Sequence, residues 1–307
     1  LADDPQTRQA LGALADRLLE TLVEAPDPDA ALVGFCRYVA TRLPKGSFIR
    51  YLLDDPRALQ SLTYLLGASP FLSEILIRNP EYFHWLQGRL DQPAPDLIDY
   101  REELERILCH DVRVKWRLET MKRFQRREML RIGGRDLLDQ ETLRSVTEQL
   151  SNLADIVTEG GLRIVLDELR QAGADPLPGT FVVIALGKLG GQELNYSSDI
   201  DLIYVYDPID PKDSDAHDRF QKLARRLTEV LGGHTDEGYF YRIDLRLRPM
   251  GKRGNVAYSL RQSEQYYESL GETFERFALI KARPIAGDLV LGAQFINMVR
   301  PFVYRKY

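Results

Sequence analysis

The chain has 307 residues, of which 44% are hydrophobic and 28% charged, with a formal net charge of -5. At roughly 150 residues per domain it suits one large domain or two modest ones, and its composition excludes a disordered tail, a fibre and a disulfide scaffold. The negative balance argues against a protein whose task is gripping nucleic acid, because neutralising phosphates takes a basic footprint.

Residues 1–172 read as helix almost throughout. Leu11, Leu14, Leu18, Leu19 and Leu22 recur on one helix face, and Leu32, Phe35, Cys36, Val39 and Leu43 do the same. Pro26, Pro28, Pro44, Pro56, Pro70 and Pro80 punctuate the pattern at intervals that fit short packed helices. The longest charge-free run, Ala58 to Ser73, is interrupted by Gln60, Ser61, Thr63 and Pro70. It is shorter than the roughly 20 apolar residues of a membrane span, so no bilayer-crossing helix is expected. Gln92-Pro93-Ala94-Pro95 reads as an exposed connection, followed by two long helical patterns over 97–131 and 139–172.

Between Arg113 and Arg135 nine basic residues stand against Glu119 and Glu128, in a stretch that reads as helix until Gly133-Gly134. Two readings stand: a helical face whose partners lie elsewhere in the fold, or a surface that meets an acidic partner or phosphate groups. Cys36 and Cys109 are far apart with no metal-type spacing, which argues against a disulfide or zinc site and suits a reducing compartment such as the cytoplasm. The start, Leu1-Ala2-Asp3-Asp4, has neither an initiator Met nor a leader, and Val303 to Tyr307 carry no terminal signal. The sequence therefore reads as a piece of something longer.

At Gly173-Ala174-Asp175-Pro176-Leu177-Pro178-Gly179 the pattern changes. Phe181 to Leu186 is a β-branched apolar run bounded by turn formers and reads as a buried strand. A second strand is predicted from Asp199 to Tyr206, a helix from Ser214 to Leu231 closed by Gly232-Gly233, and a third strand from Tyr239 to Leu247, ending at Pro249. Helices resume at Leu260. The expected fold is α+β and predominantly helical: an N-terminal helical region (1–172), a small mixed β-sheet core (173–259) and C-terminal helices (260–307).

The chemistry concentrates in that core. On a strand, Asp199 and Asp201 project from one face while Ile200 and Leu202 point to the other. Two anions held so close favour protonation of one of them or a hard divalent ion between them. Asp244 on the third strand is flanked by Arg242, Arg246 and Arg248. Upstream, Gly187-Lys188-Leu189-Gly190-Gly191 can bring backbone N–H groups close to a ligand, and Ser197 and Ser198 can donate to phosphate oxygens. Each signal alone is weak. Together, strand, Gly-Gly, short polar linker, Asp-x-Asp and a later lone Asp form the layout of nucleotidyl transfer on two metals. Two Mg²⁺ about 3.5–4 Å apart neutralise the oxygens around the attacked phosphorus, and three carboxylates can hold them. Arg246 or Arg248 either steadies the phosphate chain or pairs with Asp244. His84, His110, His217 and His234 have no evident Ser or Cys partner and read as structural.

The block from Gly187 to Ile203, with Asn195-Tyr196-Ser197-Ser198-Asp199-Ile200-Asp201 at its centre, resembles the signature of the glutamine synthetase adenylyltransferase family within the polymerase-β-like nucleotidyltransferases. Arg135-Asp136-Leu137-Leu138, Leu150 to Asp155, Arg246-Leu247-Arg248-Pro249, Lys281-Ala282-Arg283 and Gly67 to Leu72 are similar to further runs of that family. Members have two related halves, one attaching AMP from ATP to a tyrosine of glutamine synthetase and the other removing it with phosphate to release ADP. Asn195, Ile200, Phe274 to Lys281 and Arg300 to Arg305 resemble the N-terminal, adenylyl-removing half.

The resemblance implies that Asp199, Asp201 and Asp244 bind Mg²⁺, that Gly190, Gly191 and Ser198 line the phosphate and nucleotide pocket, and that glutamine synthetase is the protein substrate. It also implies a PII-type signalling partner, and neither nucleic acid nor membrane as a target. The competing expectations are the attaching reaction, a docking module that has lost its chemistry, and a transferase acting on nucleic acid. Retention of three mutually repelling carboxylates counts against the docking module, and the acidic charge counts against the nucleic-acid enzyme.

Overall fold

A computed structural model describes residues 5–42, 44–109, 113–173, 175–234 and 238–304. Leu43, His110 and the terminal runs 1–4 and 305–307 lie outside the described residues. The chain forms two compact units, Leu1–Ala94 with Arg126–Val146 and Pro95–Gln125 with Thr147–Tyr307.

The first unit contains α1 (Pro5–Glu24), α2 (Pro28–Thr41), α3 (Lys45–Asp54), α4 (Pro56–Ala68), α5 (Pro70–Arg78) and α6 (Tyr82–Leu90). The prolines mark helix starts as expected. Pro28, Pro56 and Pro70 each occupy the first helical position, where the missing N–H costs nothing, and Asp27, Asp55 and Ser69 cap them by accepting a backbone N–H. Phe35, Tyr38, Ile49, Leu52, Leu59, Leu62, Leu76, Phe83 and Leu86 are almost fully buried in one core. Each such side chain stabilises the fold by roughly 1.5–3 kcal/mol. Tyr38, Phe48 and Phe83 pack edge to face, and the Tyr38 hydroxyl donates to the Pro80 carbonyl at 2.6 Å, so the largest ring hides no unpaired polar atom.

Then follow α7 (Leu97–Leu108), α8 (Val114–Leu137) and α9 (Leu143–Gln171). Helix α8 does not stop at Gly133-Gly134, as the sequence suggests, but continues to Leu137. A Cβ on Gly133 would lie 3.0 Å from Leu72 and one on Gly134 3.4 Å from Leu86, so these glycines admit neighbouring helices instead of ending their own. The basic residues of α8 find partners inside the fold. In the second unit Arg117 pairs with Asp167 at 2.8 Å and Lys122 donates to the Gly238 carbonyl. In the first, Arg131 pairs with Glu128 at 2.8 Å, and Arg135 pairs with Glu141 at 2.7 Å and donates to the carbonyls of Leu90 and Gln92. Of the two readings of this stretch, the internal one describes these four residues.

The second unit is built on a mixed sheet of β1 (Gly179–Ala185), β2 (Ile200–Pro208), β3 (Ile243–Asp244), β4 (Ala257–Ser259) and β5 (Arg283–Gly287). Helix α10 (Gly187–Gly190) joins β1 to β2, and α11 (Ser214–Gly232), α12 (Leu260–Ser269), α13 (Thr273–Leu279) and α14 (Leu289–Val303) complete it. The sheet order is β3-β2-β1-β5, with β4 also pairing β2; the β1 pairings are antiparallel and those of β3 and β4 with β2 parallel. Val182, Ile184, Ile203 and Val205 bury one face against Tyr267, Leu291 and Phe295. On the other, Phe181 and Tyr206 stack on Phe220 of α11. Both faces are covered, which is why β1 and β2 read as near-continuous apolar runs.

The expected third strand, Tyr239 to Leu247, shrinks to two residues. Its first part instead closes α11: the N–H groups of Phe240 and Tyr241 donate to the Leu231 carbonyl at 3.2 and 3.1 Å. Beyond Asp244 the chain turns, with Arg248 N–H donating to the Leu245 carbonyl at 3.2 Å. Strands β4 and β5 were not expected; β4 is three residues long, and β5 carries Pro284 and ends on Gly287, residues that argue against a strand in sequence. Most of α9, residues 147–171, clusters with the sheet. Among the described residues no helix is long and apolar enough to cross a membrane.

Candidate active site

Parallel pairing of β2 with β3 sets Asp201 directly beside Asp244, and Ile200 N–H donates to the Arg242 carbonyl at 2.9 Å to lock that register. Asp199 stands two residues earlier, just before β2 begins. Burial raises the Asp201 carboxyl above its ordinary range, and the charges of Asp244 and Asp199 raise it further. Three carboxylates, from β2, its approach and β3, thus crowd charge around Asp201.

Arginines compensate that charge. Arg242 Nε lies 2.6 Å from Asp199 Oδ1, and its Nη2 donates to the Ser197 carbonyl at 2.6 Å. Arg246 forks Asp244, with Nε at 2.7 Å and Nη2 at 2.5 Å from Oδ2, and its own N–H donates to Oδ1 at 2.8 Å. Hydrogen bonds from Arg246 hold the Asp244 carboxyl below its ordinary range. Arg248 is arranged differently: its guanidinium donates to the carbonyls of Leu245 and Asn255 at 2.7 and 2.9 Å and staples the loop after β3.

The glycine turn supports the same point from below. Gly187 has φ +56°, and a Cβ there would lie 2.6 Å from Asp201 Oδ2, so only glycine lets the carboxylate sit on this turn. Gly190 and Gly191 N–H donate to the carbonyls of Leu186 and Gly187 at 2.9 and 3.1 Å, inside the turn. What these two glycines provide is room: a side chain on Gly190 would run into the Lys281 carbonyl, and one on Gly191 into the Lys281 side chain. Ser198 is partly buried, its N–H donating to the Asn195 carbonyl at 3.2 Å. Leu194 N–H donates to Ser151 of α9 at 3.2 Å, which fixes the linker between the turn and β2.

Among the described residues no three His, Cys, Asp or Glu side chains form a ready metal cluster. Asp199 pairs with Arg242 and Asp244 with Arg246. The donor set is the oxygen kind that a hard divalent cation takes: three carboxylates, two of whose charges raise Asp201, with compensating arginine side chains that are 61% and 67% exposed. His84, His217 and His234 each lie against aromatic rings, and His217 Nδ1 is 2.8 Å from the Tyr206 hydroxyl.

The three aspartates and Arg246 lie in one neighbourhood in the structure. The glycine run is visible in the sequence, but not that Gly187 sits under Asp201, that the charge of Lys188 lowers the Asp201 carboxyl, or that Arg242 pairs with Asp199. The positive φ of Gly187 has no signature beyond the glycine itself. The sequence sets Arg242, Arg246 and Arg248 around Asp244; in the structure Arg246 pairs with it, Arg242 with Asp199, and Arg248 with backbone carbonyls.

The structure thus sets carboxylates at two adjoining strands of a small mixed sheet behind a glycine turn, the layout that the sequence resemblance to nucleotidyltransferases leads one to expect. Comparison with known proteins narrows this. The profile of the family described as glutamate-ammonia ligase adenylyltransferase matches residues 59–298, and the chain belongs to that family. It is similar to proteins named bifunctional glutamine synthetase adenylyltransferase/adenylyl-removing enzyme: 34% identical over 94% of the chain in Chromobacterium violaceum, 34% over 89% in Hahella chejuensis and 36% over 82% in Nitrosococcus oceani. The matched stretches cover 32%, 29% and 27% of those proteins, so the chain spans about a third of the length of these relatives.

Proposed function

We propose that this chain removes AMP from an adenylylated tyrosine of glutamine synthetase by metal-dependent phosphorolysis, releasing ADP. The observation that carries the reading is the convergence of Asp199, Asp201 and Asp244 beside the Gly187 turn. The direction rests on Asn195, Ile200, Phe274 to Lys281 and Arg300 to Arg305, which resemble the removing half of the family. An oxygen of inorganic phosphate attacks the phosphorus of the tyrosyl-AMP ester. The new P–O bond completes the diphosphate of ADP, and the bond to the tyrosyl oxygen breaks, the phenolate then taking up a proton.

Asp201, Asp244 and Asp199 would hold one or two Mg²⁺, which when bound neutralise the phosphate oxygens and the departing phenolate. Arg242 and Arg246, exposed and beside the carboxylates, are the cations in reach of incoming phosphate. Arg248, engaged with backbone carbonyls, keeps the loop that carries Arg246 in shape.

The test is to supply adenylylated glutamine synthetase with Mg²⁺ and phosphate and measure ADP, and separately to supply the unmodified enzyme with labelled ATP. ADP release alone supports the reading; label incorporation alone reverses its direction. Asp201→Asn is expected to abolish turnover while leaving binding of glutamine synthetase intact. Turnover that survives in Asp201→Asn removes the site assignment.

A further inference from the structure

Away from the carboxylates, one guanidinium ties α9, β5 and the glycine turn together. The antiparallel register of β5 on β1 sets Arg283 opposite Ala185, two residues before Gly187. Arg283 Nη1 and Nη2 donate to the two oxygens of Asp155 on α9 at 2.5 and 3.1 Å. The same Nη2 donates to the Leu189 carbonyl at 2.9 Å, and Nε to the Gly190 carbonyl at 3.3 Å. Two residues before Arg283, the Lys281 carbonyl occupies the space a side chain on Gly190 would need, and Lys281 Nζ reaches Glu193 at 2.5 Å. The far end of the turn therefore lies flat on residues 281–283. Its near end carries Gly187 under the Asp201 carboxylate, and Leu186 N–H donates to the Asp201 carbonyl at 2.9 Å.

Stability alone does not explain the pair. Burying two charges costs about as much as their attraction returns. Burial pushes the Asp155 carboxyl up to about 6 against the pull of Arg283, so desolvation outweighs the pairing. A buried fork with so little net gain, aimed through its remaining donors at two carbonyls of the turn, is placed for geometry.

We propose that Arg283, oriented by Asp155, is a positioning residue for the Gly187–Gly191 turn and, through Gly187, for the Asp201 carboxylate. The inference rests on the reading of Asp201 as a working carboxylate. Arginine is needed because a planar fork spans a carboxylate and two carbonyls at once, whereas a lysine ammonium meets them one at a time.

The test compares Arg283→Lys and Asp155→Asn with Arg226→Lys in the full chain. Arg226 forks Glu168, also on α9, at 2.9 Å with both nitrogens, and touches nothing in the turn, so it controls for loss of a fork as such. Amide hydrogen exchange over residues 187–193 is read alongside kcat and KM, in whichever direction the unmodified chain turns over. Arg283→Lys is expected to speed exchange across 187–193 and lower kcat ten- to a hundredfold, with KM for the protein substrate within twofold. Asp155→Asn, which keeps an acceptor oxygen, shifts both the same way by less and serves if Arg283→Lys folds poorly. Arg226→Lys leaves both unchanged.

The proposal is overturned if exchange at 187–193 stays at the unmodified rate in Arg283→Lys and Asp155→Asn, if Arg226→Lys matches their effect, or if kcat is retained. Label incorporation without ADP release reverses only the functional reading, and the variants are then judged in that direction. An unmodified chain that turns over in neither direction removes the functional reading, and exchange alone decides the inference.

Discussion

Replacing Gly187 by alanine separates geometry from chemistry at the carboxylates, because it adds one methyl group and no charge. Two effects follow from the structure. The residue has φ +56°, a left-handed conformation that costs an L-residue about 1–2 kcal/mol. The new Cβ would lie 2.6 Å from Asp201 Oδ2 and must gain about 0.8 Å to reach ordinary contact at 3.4 Å. Asp201 is embedded in β2 and cannot yield by strand movement without breaking its pairing with Asp244, so its carboxylate rotates away. A misplacement approaching 1 Å at a reacting centre lowers turnover by about 10²-fold, so Gly187→Ala is expected to lose roughly that much kcat for a stability loss of only about 1–2 kcal/mol.

Gly173→Ala is the matched control. Gly173 also has a positive φ, +77°, but a Cβ there would meet nothing within 4 Å, and the residue lies outside the site. The same stability loss of about 1–2 kcal/mol is expected, with turnover within about twofold. Initial rates of ADP release and thermal melts of both variants decide the matter. The reasoning fails if Gly187→Ala keeps near-normal turnover, or if Gly173→Ala loses as much.

Two further outcomes follow from groups outside the site. The Asp155 carboxyl moves from an ordinary 3.8 up to about 6 on folding, so the folded chain holds a proton that the unfolded chain releases. This group's contribution to stability is complete below 3.8 and is lost as pH rises through about 6; urea midpoints of the unmodified chain should fall relative to those of Asp155→Asn across that window, and parallel curves would contradict the assignment. In the first unit, Gly134→Ala is expected to raise stability by about 0.5–1 kcal/mol, because α8 continues through this position and a Cβ would make ordinary contact with Leu86 at 3.4 Å. A lowered melting temperature would show that this contact is tighter than the backbone geometry implies.

Much of the architecture was legible because local chemistry and tertiary packing agree. Pro28, Pro56 and Pro70 announce helix starts that Asp27, Asp55 and Ser69 then cap, and the apolar runs of β1 and β2 are buried on both faces. Sequence reasoning failed where a residue answers to a distant neighbour. Gly133 and Gly134 look like a helix stop, but they make room for Leu72 and Leu86, more than forty residues away in sequence. Tyr239 to Leu247 has strand composition, yet Phe240 and Tyr241 close α11. At the site, Asp199, Asp201 and Asp244 were visible because their spacing is local or their strands are paired. The tie from Asp155 through Arg283 to Gly190 spans 128 residues in sequence for its first link and was invisible except as two separate stretches of family resemblance.

The brevity of β3 has its own consequence. Asp201 is rooted in a nine-residue strand with neighbours on both edges, whereas Asp244 hangs from a two-residue rung on the sheet's rim. One acid is an anvil and the other a latch: withdrawing Asp244 requires opening only that rung, with the remainder of the sheet left intact. Amide protons of Ile243 and Asp244 should accordingly exchange by local opening, long before those of Ile203 and Val205, and whatever occupies the gap between the acids will be read in how far the rung slows.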